Sequence, residues 1–147
     1  MTALADKIEN LSSVELFREL NRAQLTKIAR MTDDIDVSEG REIVREKTFR
    51  ESGGASFFLI VDGLAEVWTR GRKVARLNPG DTFGEMSLLT GRPRTATVRA
   101  STDMQLYRIR SWHFQRLVKS EPAIALGLLR NLAERLRVAE ENQNRHR

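Results

Sequence analysis

A glutamate and an arginine stand nine residues apart in the segment Gly80-Asp81-Thr82-Phe83-Gly84-Glu85-Met86-Ser87-Leu88-Leu89-Thr90-Gly91-Arg92-Pro93-Arg94-Thr95-Ala96-Thr97-Val98, at the two ends of a short apolar run. Gly84 and Ser87 lie beside the acid, and Thr95 and Ala96 follow the arginine. An arginine fork makes short, charge-assisted hydrogen bonds to a phosphate. A carboxylate repels phosphate, so Glu85 suits a diol such as ribose, whose hydroxyls donate to it. Small residues let an anion approach the backbone, where the first amides of a helix lack an internal partner. These types and spacings describe a compact site for a sugar hydroxyl beside a phosphate. The plainer reading is a surface ion pair, with Gly84 and Gly91 serving only as turn residues.

The elements around the segment must hold its two ends. Asn78-Pro79-Gly80-Asp81 is a turn, since Pro fixes φ and Gly permits positive φ. Gly84 to Leu89 is long enough for one or two helical turns. Pro93 biases the residue before it toward an extended form. Upstream, Leu11, Val14, Phe17, Leu20, Leu25, Ile28 and Met31 keep helical spacing, so residues 4–32 are expected to form two short helices broken near Asn21. From 34 to 110 the pattern changes to short strands separated by turns. Ile35 and Val37 alternate with acids, and 42–44 follow Gly40. Ser56 to Val61 is a buried run ending at Asp62-Gly63. Segments 65–69 and 73–77 flank a hairpin at Arg70-Gly71-Arg72. Residues 95–100 and 104–109 follow the segment. The count suggests a small antiparallel barrel or double-sheet jelly roll. Residues 111–118 read as a helix capped by Ser111. Pro122 sits at a first helical position, from which a helix runs to about Gln143.

At Phe83-Gly84-Glu85-Met86-Ser87-Leu88 and Arg94-Thr95-Ala96 the sequence resembles the cyclic-nucleotide-binding domain family, of the catabolite-activator and kinase-regulatory-subunit type. The family's phosphate-binding cassette reads Phe-Gly-Glu, two variable small or apolar residues, Leu, a short linker, then Arg, a small residue and Ala. The match needs no gap. The resemblance implies that Glu85 takes the ribose 2′-hydroxyl and Arg94 the exocyclic oxygens of the cyclic phosphate. Amides around Ser87 and Ala96 complete the cradle, with Phe83, Gly84, Met86 and Thr95 as its remaining residues. It implies a mainly β fold: an antiparallel jelly-roll barrel with N-terminal helices and a long C-terminal helix. Residues 1–147 then form a single domain. N-terminal helices span about 1–33, the barrel 34–110 with cassette 80–98, C-terminal helices 111–143, and a tail 144–147. The regulatory ligand is cAMP or cGMP, with no other cofactor. Arg135, Leu132 and Ala139 are the helix positions expected nearest the base.

Two departures bear on the base. In the catabolite-activator branch a Thr-Ser pair on this helix reads adenine; the corresponding positions here are Ala139 and Glu140. Thr95 carries a hydroxyl where many cAMP-selective kinase domains carry Ala, so cGMP stays open. Segment 47–55 is longer than the family's tight glycine turn and is expected to be an extended surface loop, either loop drift or a partner contact.

The 147 residues are 40% hydrophobic and 31% charged, in keeping with a soluble globular domain. Cysteine is absent, which excludes disulfides and zinc–thiolate sites. The first residues lack the apolar core of a signal peptide, and no run approaches membrane-spanning length, so a cytoplasmic protein without membrane insertion is expected. Only His113 and His146 are present, too few for a histidine metal cluster; no catalytic triad can be assembled either. A non-enzyme is expected. Residues 1–90 carry 13 basic and 15 acidic side chains, whereas 91–147 carry 12 and 5, hence −2 against +7. Such asymmetry also marks nucleic-acid contact, but much of it is single arginines such as Arg108, Arg116 and Arg130. It does not by itself make a DNA-binding protein. With the sequence ending at Asn142 to Arg147, no helix-turn-helix is expected after the long helix. Leu129, Leu132, Leu136 and Ala139 repeat at 3-4-3 spacing. This face serves as packing on the domain's own sheets, as a dimer seam or as a lid over the base. The output partner is an effector protein that the sequence does not name. The alternatives are a regulatory piece of a larger channel, kinase, acyltransferase or transcription regulator, or a degenerate domain acting only in protein interaction.

Overall fold

The computed structural model describes residues 3–46, 56–84 and 96–145. The chain begins with helix α1 (Leu4–Ser12), a one-turn 3-10 helix (Glu15–Phe17) and α2 (Arg22–Arg30). Asn21 starts α2 through a capping box: its side chain accepts from the Gln24 amide, and the Gln24 side chain accepts from the Asn21 amide, both at 2.9 Å. The expected break near Asn21 is thus a helix start.

Among the described residues eight strands follow: β1 (Asp33–Val37), β2 (Glu42–Val44), β3 (Ser56–Asp62), β4 (Ala65–Thr69), β5 (Arg72–Leu77), β6 (Thr82–Phe83), β7 (Thr97–Ala100) and β8 (Met104–Arg110). They form two antiparallel four-stranded sheets, in the orders β1-β8-β3-β6 and β2-β7-β4-β5. Of the two expected forms, a barrel or a double-sheet jelly roll, the described residues show two sheets that are not closed on each other. Each keeps its own ladder and its own edges, β1 and β6 in one, β2 and β5 in the other.

Residue alternation explains why the first sheet is buried on both sides. On β3, Phe58 and Ile60 enter a core between the sheets, with Val44, Ala65, Val98 and Leu106. Phe57 and Leu59 point the other way, into a second core with Leu11, Phe17, Ile28, Phe114 and Ile124 from the helices. Side chains two apart share a face. A strand covered on both faces reads as one continuous apolar run, which is what Ser56 to Val61 displays. On β8, Leu106 faces the other sheet while Tyr107 and Ile109 face the helices.

Turns fix the register. Arg70 and Gly71 have φ of 52° and 75°, so the β4–β5 hairpin is a two-residue turn and Arg72 already belongs to β5. Gly63 joins β3 to β4 at φ +93°, with no room for a side chain: a Cβ would lie 2.4 Å from the Asp103 carbonyl oxygen. The C-terminal part is α3 (Ser111–Ser120) and α4 (Pro122–Arg145). Pro122 opens α4 as expected. Ser111 does not cap α3: the N-cap is Arg110, and the Ser111 hydroxyl oxygen accepts from Gln115 Nε2 at 3.3 Å. Among the described residues no helix is long and apolar enough to cross a membrane. The proposed loop 47–55 lies outside the described residues; Ser56 is already in β3.

Candidate functional site

The turn before the cassette is tied to the first sheet. The Gly80 amide donates to the Ile60 carbonyl at 2.8 Å, and the Ile60 amide donates to the Asp81 carbonyl at 3.0 Å. Within the turn, the Asp81 amide donates to the Asn78 carbonyl at 2.9 Å, and the Asp81 carboxylate accepts from the Asn78 amide at 2.7 Å. Asp81 is thus spent on turn geometry. Thr82 and Phe83 then pair with Leu59 and Phe58. The Phe83 ring stacks on Phe58, with centroids 4.9 Å apart and planes at 18°, inside the inter-sheet core. Gly84 follows at φ +83°, a conformation strained for any residue with a side chain. It lets the chain leave β6 at once, directly before Glu85.

The far end returns to the other sheet. Ala96 is half-buried, and β7 begins at Thr97. Thr97 Oγ1 accepts from the Glu46 amide at 3.0 Å, and Thr97 pairs across from Trp68. Val98, next along, is 3% exposed and part of the inter-sheet core. The cassette therefore starts on an edge strand of one sheet and ends on an inner strand of the other. Of its expected residues, Phe83, Gly84 and Ala96 are placed at these two joints. Glu85, Met86, Ser87, Arg94 and Thr95 lie outside the described residues.

Arg135, the expected base neighbour, is half-buried on α4. Leu132 is 37% exposed and Leu136 62%, and Ala139 is also exposed. The stripe at 3-4-3 spacing is thus not the face packed on the molecule's own core. That face is Ile124, Gly127, Leu128 and Asn131. Beyond it, α4 is braced internally. Arg137 donates to Glu134 and Glu141, and the Arg137 hydrogen bond holds the Glu134 carboxyl below its ordinary value. The Arg137 guanidinium is correspondingly pushed above its own ordinary value, first by Glu134. His113 is half-buried against the Trp112 ring, 3.7 Å between centroids. Among the described residues no three His, Asp or Glu side chains form a group that could hold a metal.

Two polar features went unread in the sequence. Lys7 Nζ donates to the Thr32 carbonyl at 2.8 Å and pairs with Asp34 at 3.2 Å. Asn10 Nδ2 donates to the Tyr107 hydroxyl at 3.0 Å. Together they pin α1 onto the first sheet; the legible sign was two polar residues three apart on a helix whose Ile8 and Leu11 are apolar. The second is Asn131, 3% exposed, with its Oδ1 buried and without a hydrogen-bond partner. Its sign was the 4-3 spacing of Ile124, Leu128 and Asn131.

A model of the cyclic nucleotide-binding domain matches residues 37–121, which run from the end of β1 to the start of α4 and enclose both joints. The chain belongs to this family. It is 39% identical over 115 residues to a cyclic nucleotide-gated potassium channel of Mesorhizobium japonicum, matching 78% of this chain and 31% of the channel. It is 34% identical over 110 residues to a cAMP-dependent protein kinase regulatory subunit of Emericella nidulans, matching 74% of this chain and 26% of that protein. The chain thus spans about a third or less of these curated relatives. The N-terminal domain of a transcriptional regulator from Streptomyces coelicolor superposes with a TM-score of 0.76 at 25% identity, covering 86% of this chain and 91% of that domain. These proteins are named as a channel, a kinase regulatory subunit and a transcriptional regulator, so family membership fixes the module and not its effector.

Proposed function

We propose that this cyclic nucleotide-binding domain is a non-catalytic receptor for cAMP or cGMP that signals through its C-terminal helix. Glu85 takes the ribose 2′-hydroxyl. Arg94, with the amides around Ser87 and Ala96, takes the cyclic phosphate, and Phe83, Gly84, Met86 and Thr95 shape the cradle. Arg135 lies toward the base, and Thr95 leaves room for either purine. The observation that carries this reading is the ungapped cassette held between two defined joints, Phe83-Gly84 on one sheet and Ala96-Thr97 on the other. No metal or further cofactor is needed, because binding is by hydrogen bonds and charge. The exposed stripe of Leu129, Leu132 and Leu136 supports association with an effector protein or a second copy of the chain. DNA binding and membrane insertion form no part of the reading. Whether the receptor works alone or as part of a longer channel, kinase, acyltransferase or regulator is a matter of its output, not of this site.

Thermal unfolding with millimolar cAMP, cGMP or linear 5′-AMP tests the reading. Ligand that binds only the folded state raises the melting temperature. A rise with either cyclic nucleotide, little with 5′-AMP, and unchanged nucleotide after overnight incubation is expected. Absence of any rise sinks receptor function, and conversion of cyclic to linear nucleotide would make the protein an enzyme.

A further inference from the structure

Helices α1 and α4 cover the same helical core but are fastened differently. The inner face of α1 ends in a satisfied network, with Lys7 held by Thr32 and Asp34 and Asn10 by Tyr107. The inner face of α4 is Ile124, Gly127, Leu128 and Asn131, packed against α3 and the 3-10 segment. At Gly127 the approach is so close that a Cβ would lie 2.7 Å from Leu20 Cδ2. One turn on, the seam ends at Asn131, whose buried Oδ1 accepts nothing. A buried acceptor without a donor keeps its full desolvation penalty, whereas an apolar side chain of similar size would not. After Asn131 the helix exposes Leu132 and Leu136, the stripe that would have to turn inward to meet a base.

The geometry points to Asn131 as the positioning residue that keeps α4 weakly docked, so that ligand capture can draw the helix off its seat. The inference rests on the reading that α4 moves when nucleotide binds. A ligand shifts an equilibrium only by its differential affinity for the two states, so a weakly docked helix can be moved by a modest ligand and a firmly docked one cannot. The unpartnered Oδ1 lowers the gap at the end of the seam nearest the exposed stripe. Its removal deepens the docked state and makes nucleotide binding work against it.

The test uses the full chain with Asn131→Leu and Asn131→Asp, read by amide hydrogen exchange over 124–131 without ligand and by cAMP affinity. Asn131→Leu is expected to slow exchange in that stretch about tenfold and to weaken cAMP binding by a similar factor. Asn131→Asp, which buries a charge, is expected to speed exchange there and tighten binding, and it decides the matter alone if the leucine variant does not fold. Exchange that is unchanged or moves the other way overturns the inference, and so does altered exchange with unaltered affinity. Wild-type protein that binds no cAMP instead overturns the receptor reading, while the exchange data still decide whether Asn131 limits docking.

Discussion

Gly84 and Gly63 solve the same problem at different joints, and only Gly84 lies in the cassette. Both have positive φ, but Gly63 is also wedged against the Asp103 carbonyl and Met104. Gly63→Ala therefore combines backbone strain with a clash, and is expected to lower stability by about 3 kcal/mol, roughly 10 °C in melting temperature for a chain of this size. Thermal denaturation checks this; a shift under about 2 °C would mean that the turn relaxes freely. At this scale the sequence was informative wherever residue type forces conformation: the Asn78 to Asp81 turn, the hairpin at Arg70 to Arg72 and the break near Asn21. It was silent where a polar side chain is judged by its partners. Nothing in the letters distinguishes Asn10, which finds the Tyr107 hydroxyl, from Asn131, whose Oδ1 finds no donor.

At the scale of elements, periodicity located nearly every strand and helix, within the described residues, to within about two residues. It left open whether the sheets close into a barrel. Alternation reports which face of a strand is buried, but not whether the last strand of one sheet pairs with the first of the next; β6 and β7 belong to different sheets. The long helix shows a related limit. Its most regular apolar stripe is the exposed one, while the docked face includes a glycine and an asparagine that hydropathy discounts. In the second sheet, cross-strand register places Glu42 by Arg99, Arg99 by Glu66 and Glu66 by Arg76. The hydrogen bond from Lys73, aided by the charges of Lys73, Arg76 and Arg99, holds the Glu66 carboxyl below its ordinary value of 4.5. Because the folded value is the lower one, this pairing stabilises fully above the ordinary carboxylate range and fades as pH falls through the folded value. Glu66→Gln should therefore lower the melting temperature slightly near neutrality, leave it unchanged in acid below the folded value, and so flatten part of the acid-side loss. An unaltered acid limb would show that the pair contributes nothing.

For the whole molecule, one sheet is buried on both faces by two cores, and the site's frame belongs to both sheets at once. Anything that parts the sheets should disturb the cassette. The exposed leucines of α4 carry the second expectation at this scale. If they join a second copy of the chain, wild type sediments as a dimer at micromolar concentration, and Leu129→Asp with Leu136→Asp yields a folded monomer. A wild-type monomer at that concentration assigns the stripe to an effector instead.

The central claim is that Arg94 and its neighbours grip a cyclic phosphate. Calorimetric titration of cAMP and of cGMP into wild type and Arg94→Ala tests it most directly. The account predicts saturable binding of at least one nucleotide by wild type, weakened in the variant by at least about 2 kcal/mol, roughly thirtyfold, through loss of a charge-assisted pair. Equal affinity in wild type and variant, or no heat from wild type with either nucleotide, would contradict it.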